Sequence, residues 1–284
     1  MAVAYAAAIL YLFLFERIFW TPDLLFFVIF ALFLLIRQGL RFIKAFAPFI
    51  ILLLMYDSFR GIADDLAGRA HYAEMINFDK ALFGGTLPTT WLQQHLAVPE
   101  VLWYDYYFYL LYMAHFIVPV LFGIYLWKRQ TRIFNRYVAT FVALSFAGFL
   151  TYLAFPAAPP WMAAEQGLIP PIQKISSDVW TALGIRDAPS LYRKIDPNPV
   201  AAVPSLHSAY PLLLFLFSFA VRRWWVSAIF GFYTVSIWFG VVYMGEHYVI
   251  DVILGALYAC GAYLAVMIAY PTLQAWLRKD RQPN

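Results

Sequence analysis

Residues 224–270 read WWVSAIFGFYTVSIWFGVVYMGEHYVIDVILGALYACGAYLAVMIAY. The first twenty of them carry no charge, and after Asp251 none appears until Arg278. About 20 apolar residues at 1.5 Å rise each cross the hydrocarbon core of a bilayer, so this stretch predicts two spanning helices, 224–243 and 247–270. The break between them, GEH, is polar. Two ionisable groups, His247 and Asp251, therefore sit at the start of the second of these spans. Ionisable side chains at such depth are costly and lean towards function.

The same reading extends along the chain. Of 284 residues, 63% are hydrophobic and 13% charged, about half the charge of a soluble domain. Spans are expected at about 2–20, 23–37, 42–57, 102–127, 134–155 and 205–221, besides the two above. The fold class is all-α: a multi-pass transmembrane bundle of six to eight spans. The start, MAVAYAAAIL, has no basic region and argues for a first span retained in the membrane. One cysteine, Cys260, excludes an intrachain disulfide framework and reads as a small core residue. A net charge of +4, scattered, gives no nucleic-acid signal.

Charge sets the expected orientation. Arg37, Arg41 and Lys44 lie between spans two and three. Lys128, Arg129, Arg132 and Arg136 lie between four and five, and Arg222 and Arg223 between six and seven. Arg278, Lys279 and Arg281 follow span eight. With eight spans all these fall on one side, which should be cytoplasmic. Of the 16 acids only Asp280 joins them. The expected organisation is N-terminal transmembrane helices over 1–58, an interfacial non-cytoplasmic segment over 59–101, and a catalytic transmembrane core over 102–284. That core includes a non-cytoplasmic cap loop, 156–204. Segment 59–101 mixes Phe78, Leu82, Trp91 and Leu92 with polar residues and suits short interfacial helices. The cap is proline-rich, and its Trp161, Trp180, Leu183 and Leu191 argue for packing rather than a tether.

Two short motifs carry chemistry: VPSLHS at 203–208 and GEHYVIDVILG at 245–255. In the expected topology both histidines stand at the outer ends of their helices. His247 and Asp251, at i and i+4, share a helix face. A carboxylate there fixes one imidazole nitrogen and leaves the other free as a nucleophile. His207 suits an acid that protonates a departing oxygen and then a base for an incoming hydroxyl. Pro204 and Ser205 open a helix whose free N–H groups favour a phosphate. The plain alternatives are a satisfied polar pair for His247 and Asp251, and an ordinary helix start for PSLH. A two-histidine, one-carboxylate metal site is a further alternative, ranked below metal-free phosphoryl transfer. His115 reads as a hydrogen-bonded core residue near a kink at Pro119. His71 and His95 read as solvated, and Asp105 among Tyr104, Tyr106 and Tyr107 as an interfacial belt.

PSLHS followed by HYVIDVILG resembles the second and third signature motifs of the type 2 phosphatidic acid phosphatase superfamily. With FDKALFG at 78–84 and FPAAPPW at 155–161, the chain looks most like its inositol phosphorylceramide synthase branch over about residues 75–260. The resemblance implies a triad: His247 as nucleophile forming a phosphohistidine, Asp251 orienting it, and His207 as acid and then base, with no metal or other cofactor. It implies a membrane phosphotransferase that moves a phospho-headgroup, such as inositol phosphate, from a phospholipid donor to a lipid hydroxyl. The alternative is a lipid phosphatase or phospholipase C-type hydrolase with the same site. A proton-coupled carrier and a non-catalytic lipid scaffold are rivals from other classes. Two features of the phosphatase branch are missing. No Ser-Arg pair precedes His247, and Arg129 and Arg136 echo the first motif only in spacing. The phosphate-binding set is therefore expected among Ser205, Lys174, Arg186, Arg193 and Lys194, with Arg193 and Lys194 preferred for closeness to the motif. The expected place is a bacterial cytoplasmic membrane with the site facing outward, or a lumen-facing Golgi membrane in a eukaryote.

Overall fold

A computed structural model describes residues 38–58, 66–184 and 199–279. The spans expected at 2–20 and 23–37 lie outside these residues, as do Leu191, Arg186, Arg193 and Lys194. The chain divides into two compact units, Met1–Ser58 and Phe59–Asn284. In the first, α1 (Gly39–Ser58) matches the span expected at 42–57. All other elements belong to the second unit, so the interfacial segment and the helical core share it.

The second unit is helical: α2 (Ala73–Leu82), α3 (Pro88–Leu96), α4 (Trp103–Arg129), α5 (Thr131–Ala154), α6 (Pro160–Glu165), α7 (Ile175–Ala182), α8 (Leu206–Ser218), α9 (Trp224–Tyr243) and α10 (Val249–Lys279). A 3-10 turn, Phe219–Val221, extends α8. Among the described residues, α5, α9 and Val249–Tyr270 are long and apolar enough to cross a membrane. α4 counts as a fourth when its two halves, Trp103–His115 and Ile117–Arg129, bent by 51°, are taken as one span. The cause of the bend is Pro119, whose ring cannot accommodate the carbonyl of His115 in a straight helix. Leu206–Val221 is a shorter apolar helix.

This short helix is the axis of the unit. α8 packs against α4, α5, α9 and α10, and Leu213, Leu214 and Phe217 on it are fully buried. The outer faces of its neighbours are apolar instead: Trp224, Phe232 and Val235 on α9, and Leu257, Leu264 and Ile268 on α10 are exposed. Faces of this kind suit lipid contact, and the chain is a membrane protein. α8 runs away from His207 to the basic turn Arg222–Arg223, and α9 returns towards Tyr243. The basic turn thus stands at the far end of these helices from both motif histidines.

Segments 66–101, 156–184 and 199–204 fold together over the motif end. Stretch 155–158 is extended and stitched on both sides. His71 N–H donates to Pro156 O (2.8 Å) and Ala158 N–H to His71 O (3.0 Å). Ala157 N–H donates to Val200 O (2.9 Å) and Ala202 N–H to Ala157 O (3.1 Å). Ala157 and Ala158 are fully buried, which explains small residues between the prolines. Trp180 is buried as expected of a packed cap, while Leu183 is exposed. On α2 and α3, Phe78, Leu82 and Trp91 are exposed, as suits helices lying in the interface. Asp105 departs from the expected surface belt. It is buried, accepts the Leu102 N–H at 2.7 Å, and accepts the Tyr243 hydroxyl at 2.7 Å.

Candidate active site

The first turn of α8 is fastened to the first turn of α10. Ser205 is the N-cap of α8, and its Oγ accepts the Ser208 N–H at 3.2 Å. Its own N–H donates to Asp251 O at 3.1 Å. Ser208 Oγ lies within hydrogen-bond distance of Ser205 O (2.9 Å) and of Val252 O (3.1 Å) on α10. Trp238 Nε1 on α9 donates to Ser208 O at 3.0 Å. The backbones meet this closely because position 255 is glycine: a Cβ there would run into Ser208 Oγ and Ser205 O.

The turn before α10 is held from the other direction. Gly245 takes φ +80°, a left-handed conformation that glycine adopts without strain. Tyr248 N–H donates to Asp251 Oδ2 at 2.8 Å. Val249 N–H donates to Asp79 Oδ2 (2.9 Å) and Ile250 N–H to Asp79 Oδ1 (3.0 Å). Three of the four N–H groups that a helix start leaves open are thereby met by two carboxylates. Asp79 is fully buried. Burial pushes its carboxyl above the usual range, and the two backbone donors pull it partly back.

These fastenings bring together the three residues singled out in the sequence. His207 Nδ1 and His247 Nε2 are 3.2 Å apart. His247 Nδ1 lies 3.4 Å from Asp251 Oδ2, ion-pair distance but longer than a normal hydrogen bond. Such contacts are often loose until substrate binds. His247 is nearly buried and Asp251 fully so. Among the described residues, His207 Nε2, His247 Nδ1 and Asp251 Oδ1 are buried atoms that make no hydrogen bond. One tautomer assignment satisfies the geometry: His247 carries its proton on Nδ1, facing Asp251, and offers the Nε2 lone pair towards His207.

Several wall residues escaped the sequence reading. Tyr112 stacks on the His207 ring at 4.2 Å and 12°. His115, expected to be a plain core histidine, has its ring 3.8 Å from that of His207 and its Nδ1 2.6 Å from Tyr112 O. It belongs to the site wall because Tyr112 and His115, at i and i+3, share the α4 face that meets α8. Glu246 is buried and accepts the Ser176 hydroxyl at 2.5 Å. Gln93 on α3 spans the cap: its Nε2 donates to Gln173 O and Tyr243 O (both 2.9 Å), and its Oε1 accepts the Gln173 N–H at 2.7 Å. Trp161 N–H donates to Gly245 O at 3.1 Å. Asp79 and Gln93 lie in short helices that mix polar and apolar residues, so nothing in the sequence set them apart.

Of the expected phosphate-binding set, Ser205 is buried at the helix start, engaged as a cap. Lys174 stands on the cap segment, its Nζ 3.5 Å from the centre of the Trp161 ring. Arg129 and Arg136 lie at the opposite helix ends; Arg136 is near Tyr270 and Met267.

Comparison with known proteins gives the family. The model of the PAP2 superfamily matches residues 73–265. A curated protein of Bacteroides thetaiotaomicron, named phosphoinositol dihydroceramide synthase, is 32% identical over 225 residues, covering 74% of this chain and 72% of its own length. No solved structure matches. The matched region spans every element that fastens the two histidines, from α2 to α10, and the chain belongs to the PAP2 superfamily as one of its membrane enzymes.

Proposed function

We propose that the protein transfers a phospho-headgroup, inositol phosphate in the first instance, from a phospholipid to the hydroxyl of a second lipid through a phosphohistidine on His247. The observation that carries this reading is the linear order Asp251, His247, His207, with 3.4 Å and 3.2 Å between successive polar atoms. Asp251 holds Nδ1 of His247, so Nε2 is the nitrogen that attacks phosphorus. The bond from phosphorus to the diacylglycerol oxygen breaks, and His207 gives that oxygen its proton. In the second half His207 takes the proton of the acceptor hydroxyl, whose oxygen displaces His247 Nε2 from phosphorus. Because the two nitrogens face each other at 3.2 Å, the phosphoryl group has to part the rings as it enters.

Other features support a lipid substrate. An apolar cavity of about 830 Å³ lies between α3, α9 and the start of α10, lined by Trp91, Trp238, Phe239, Val249 and Val252. It has room for acyl chain, one helix away from the triad. Lys174, on the cap segment, forms the proposed headgroup-phosphate set together with Arg193 and Lys194. The basic turns at the far helix ends support a site on the non-cytoplasmic side of a bacterial membrane. The name of the Bacteroides relative supports inositol phosphate as headgroup and a ceramide-type acceptor.

The test incubates purified protein with headgroup-labelled phosphatidylinositol, with and without ceramide or diacylglycerol as acceptor. Label appearing in a new lipid only when acceptor is present supports transfer. Release of water-soluble inositol phosphate alone, at equal rates with and without acceptor, defeats it.

A further inference from the structure

We infer that Asp79 is a positioning residue of the active site, and that helices α2 and α3 form a two-point clamp on the turn that carries His247. The turn 244–248 is short and is reached by a buried polar side chain on each side. On one side Gln93 is tied to Tyr243 O, the last residue of α9, through its Nε2 at 2.9 Å. On the other side Asp79 takes the N–H groups of Val249 and Ile250, the first two residues of α10. Both clamp residues are nearly or fully buried, and both come from a segment that contributes no group to the proposed phosphoryl transfer.

The division of labour between two carboxylates gives the clamp its consequence. A helix start presents several N–H donors, and an acid within the first turn is the natural acceptor for them. Asp251 is such an acid, and it already takes the Tyr248 N–H at 2.8 Å. With Asp79 occupying the next two donors, Asp251 keeps Oδ2 turned to His247. Without Asp79, the open N–H groups of Val249 and Ile250 compete for the Asp251 carboxylate and draw it from the imidazole. Asp79 also places a buried negative charge one or two peptide groups from the His247–Asp251 pair, where screening by water is weak. The inference rests on the proposed roles of His247 and Asp251.

The experiment compares Asp79→Asn, Asp79→Ala and Asp79→Glu with the parent protein in detergent. Turnover is measured per folded protein by the headgroup-transfer assay, and amide hydrogen exchange is measured at residues 248–252. In Asp79→Asn we expect kcat to fall by tenfold or more, with KM for the donor within threefold. The acid limb of the pH–kcat profile should move to lower pH, since a negative charge beside the pair has gone. Exchange at Val249 and Ile250 should accelerate by at least tenfold. Asp79→Ala should be worse than Asp79→Asn, and Asp79→Glu should restore part of kcat. Parent-like kcat and pH profile in folded Asp79→Asn would overturn the inference, as would a loss of activity that tracks only the loss of folded protein. His247→Ala in the same assay separates the two readings. If it is inactive while Asp79→Asn matches the parent, only the clamp falls. If it is active, the proposed nucleophile falls, and hydrogen exchange alone judges the cap.

Discussion

Replacing Gly255 by alanine puts a methyl group between the two helices that carry the triad. The new Cβ would collide with Ser205 O, a backbone atom, and with Ser208 Oγ, a short side chain held within hydrogen-bond distance of two carbonyls. Neither can swing away as the end of a flexible side chain would, so α8 and α10 must separate. Restoring a normal carbon–oxygen approach takes about 1 Å of movement. Overpacking of this kind costs roughly 1–3 kcal/mol, offset by up to about 1 kcal/mol from the better helix propensity of alanine. The protein should therefore remain folded with a modestly lower Tm. The site suffers more than the fold, because the 3.2 Å between His207 and His247 opens by a similar amount. A misplacement of about 1 Å at reacting groups costs on the order of a hundredfold in rate, or about 2.7 kcal/mol of barrier. Gly261→Ala is the control: it lies on the same helix, and a Cβ there meets nothing within 4 Å. The assay is turnover per folded protein, with thermal unfolding in detergent alongside. Gly255→Ala with parent-like turnover, or Gly261→Ala equally impaired, would refute the argument that this close approach sets the histidine spacing.

Further outcomes follow from the same geometry. His247→Ala, His207→Ala and Asp251→Asn should each lower turnover by about a hundredfold or more while the protein still extracts folded, as befits removal of nucleophile, acid or orienting group; full rate in Asp251→Asn would end the orienting role. Lys174→Met keeps the packing on Trp161 but removes the charge 3.5 Å above its ring, so KM for the donor should rise severalfold with kcat little changed, and an unchanged KM would remove Lys174 from the headgroup site. For orientation, cysteines replacing Leu183 (55% exposed, on the cap) and Arg223 (at the far helix end) should label from opposite sides of sealed cells, Leu183→Cys from outside; labelling of both from one side would contradict the proposed topology.

The spans were legible because bilayer thickness imposes a length and a composition that any single stretch must meet by itself. The uncharged runs 224–243 and 252–277 are such stretches, and α9 and α10 form over them. The pairing of His247 with Asp251 was equally local, since four residues on a helix make one face. So was the cap at Ser205, a hydroxyl just ahead of an apolar run. His207 came within reach of His247 by a longer inference, from two helix starts at one depth. Depth, however, leaves the neighbour undetermined, and only the packing of α8 on α10 through Gly255 brings the rings to 3.2 Å. The wall and the supports lay beyond sequence reading for the same reason. Nothing local to Asp79 shows that it closes a helix start 170 residues later, and nothing local to His115 shows that its ring meets His207 rather than a core carbonyl alone. The sequence by itself thus determined that 131–154, 224–243 and 249–270 are long and apolar enough to cross a membrane, and which residues carry ionisable chemistry. The tertiary structure decided which of them face one another, because hydrogen bonds and close packing between distant segments are set by the whole fold and leave no periodic mark in any one stretch.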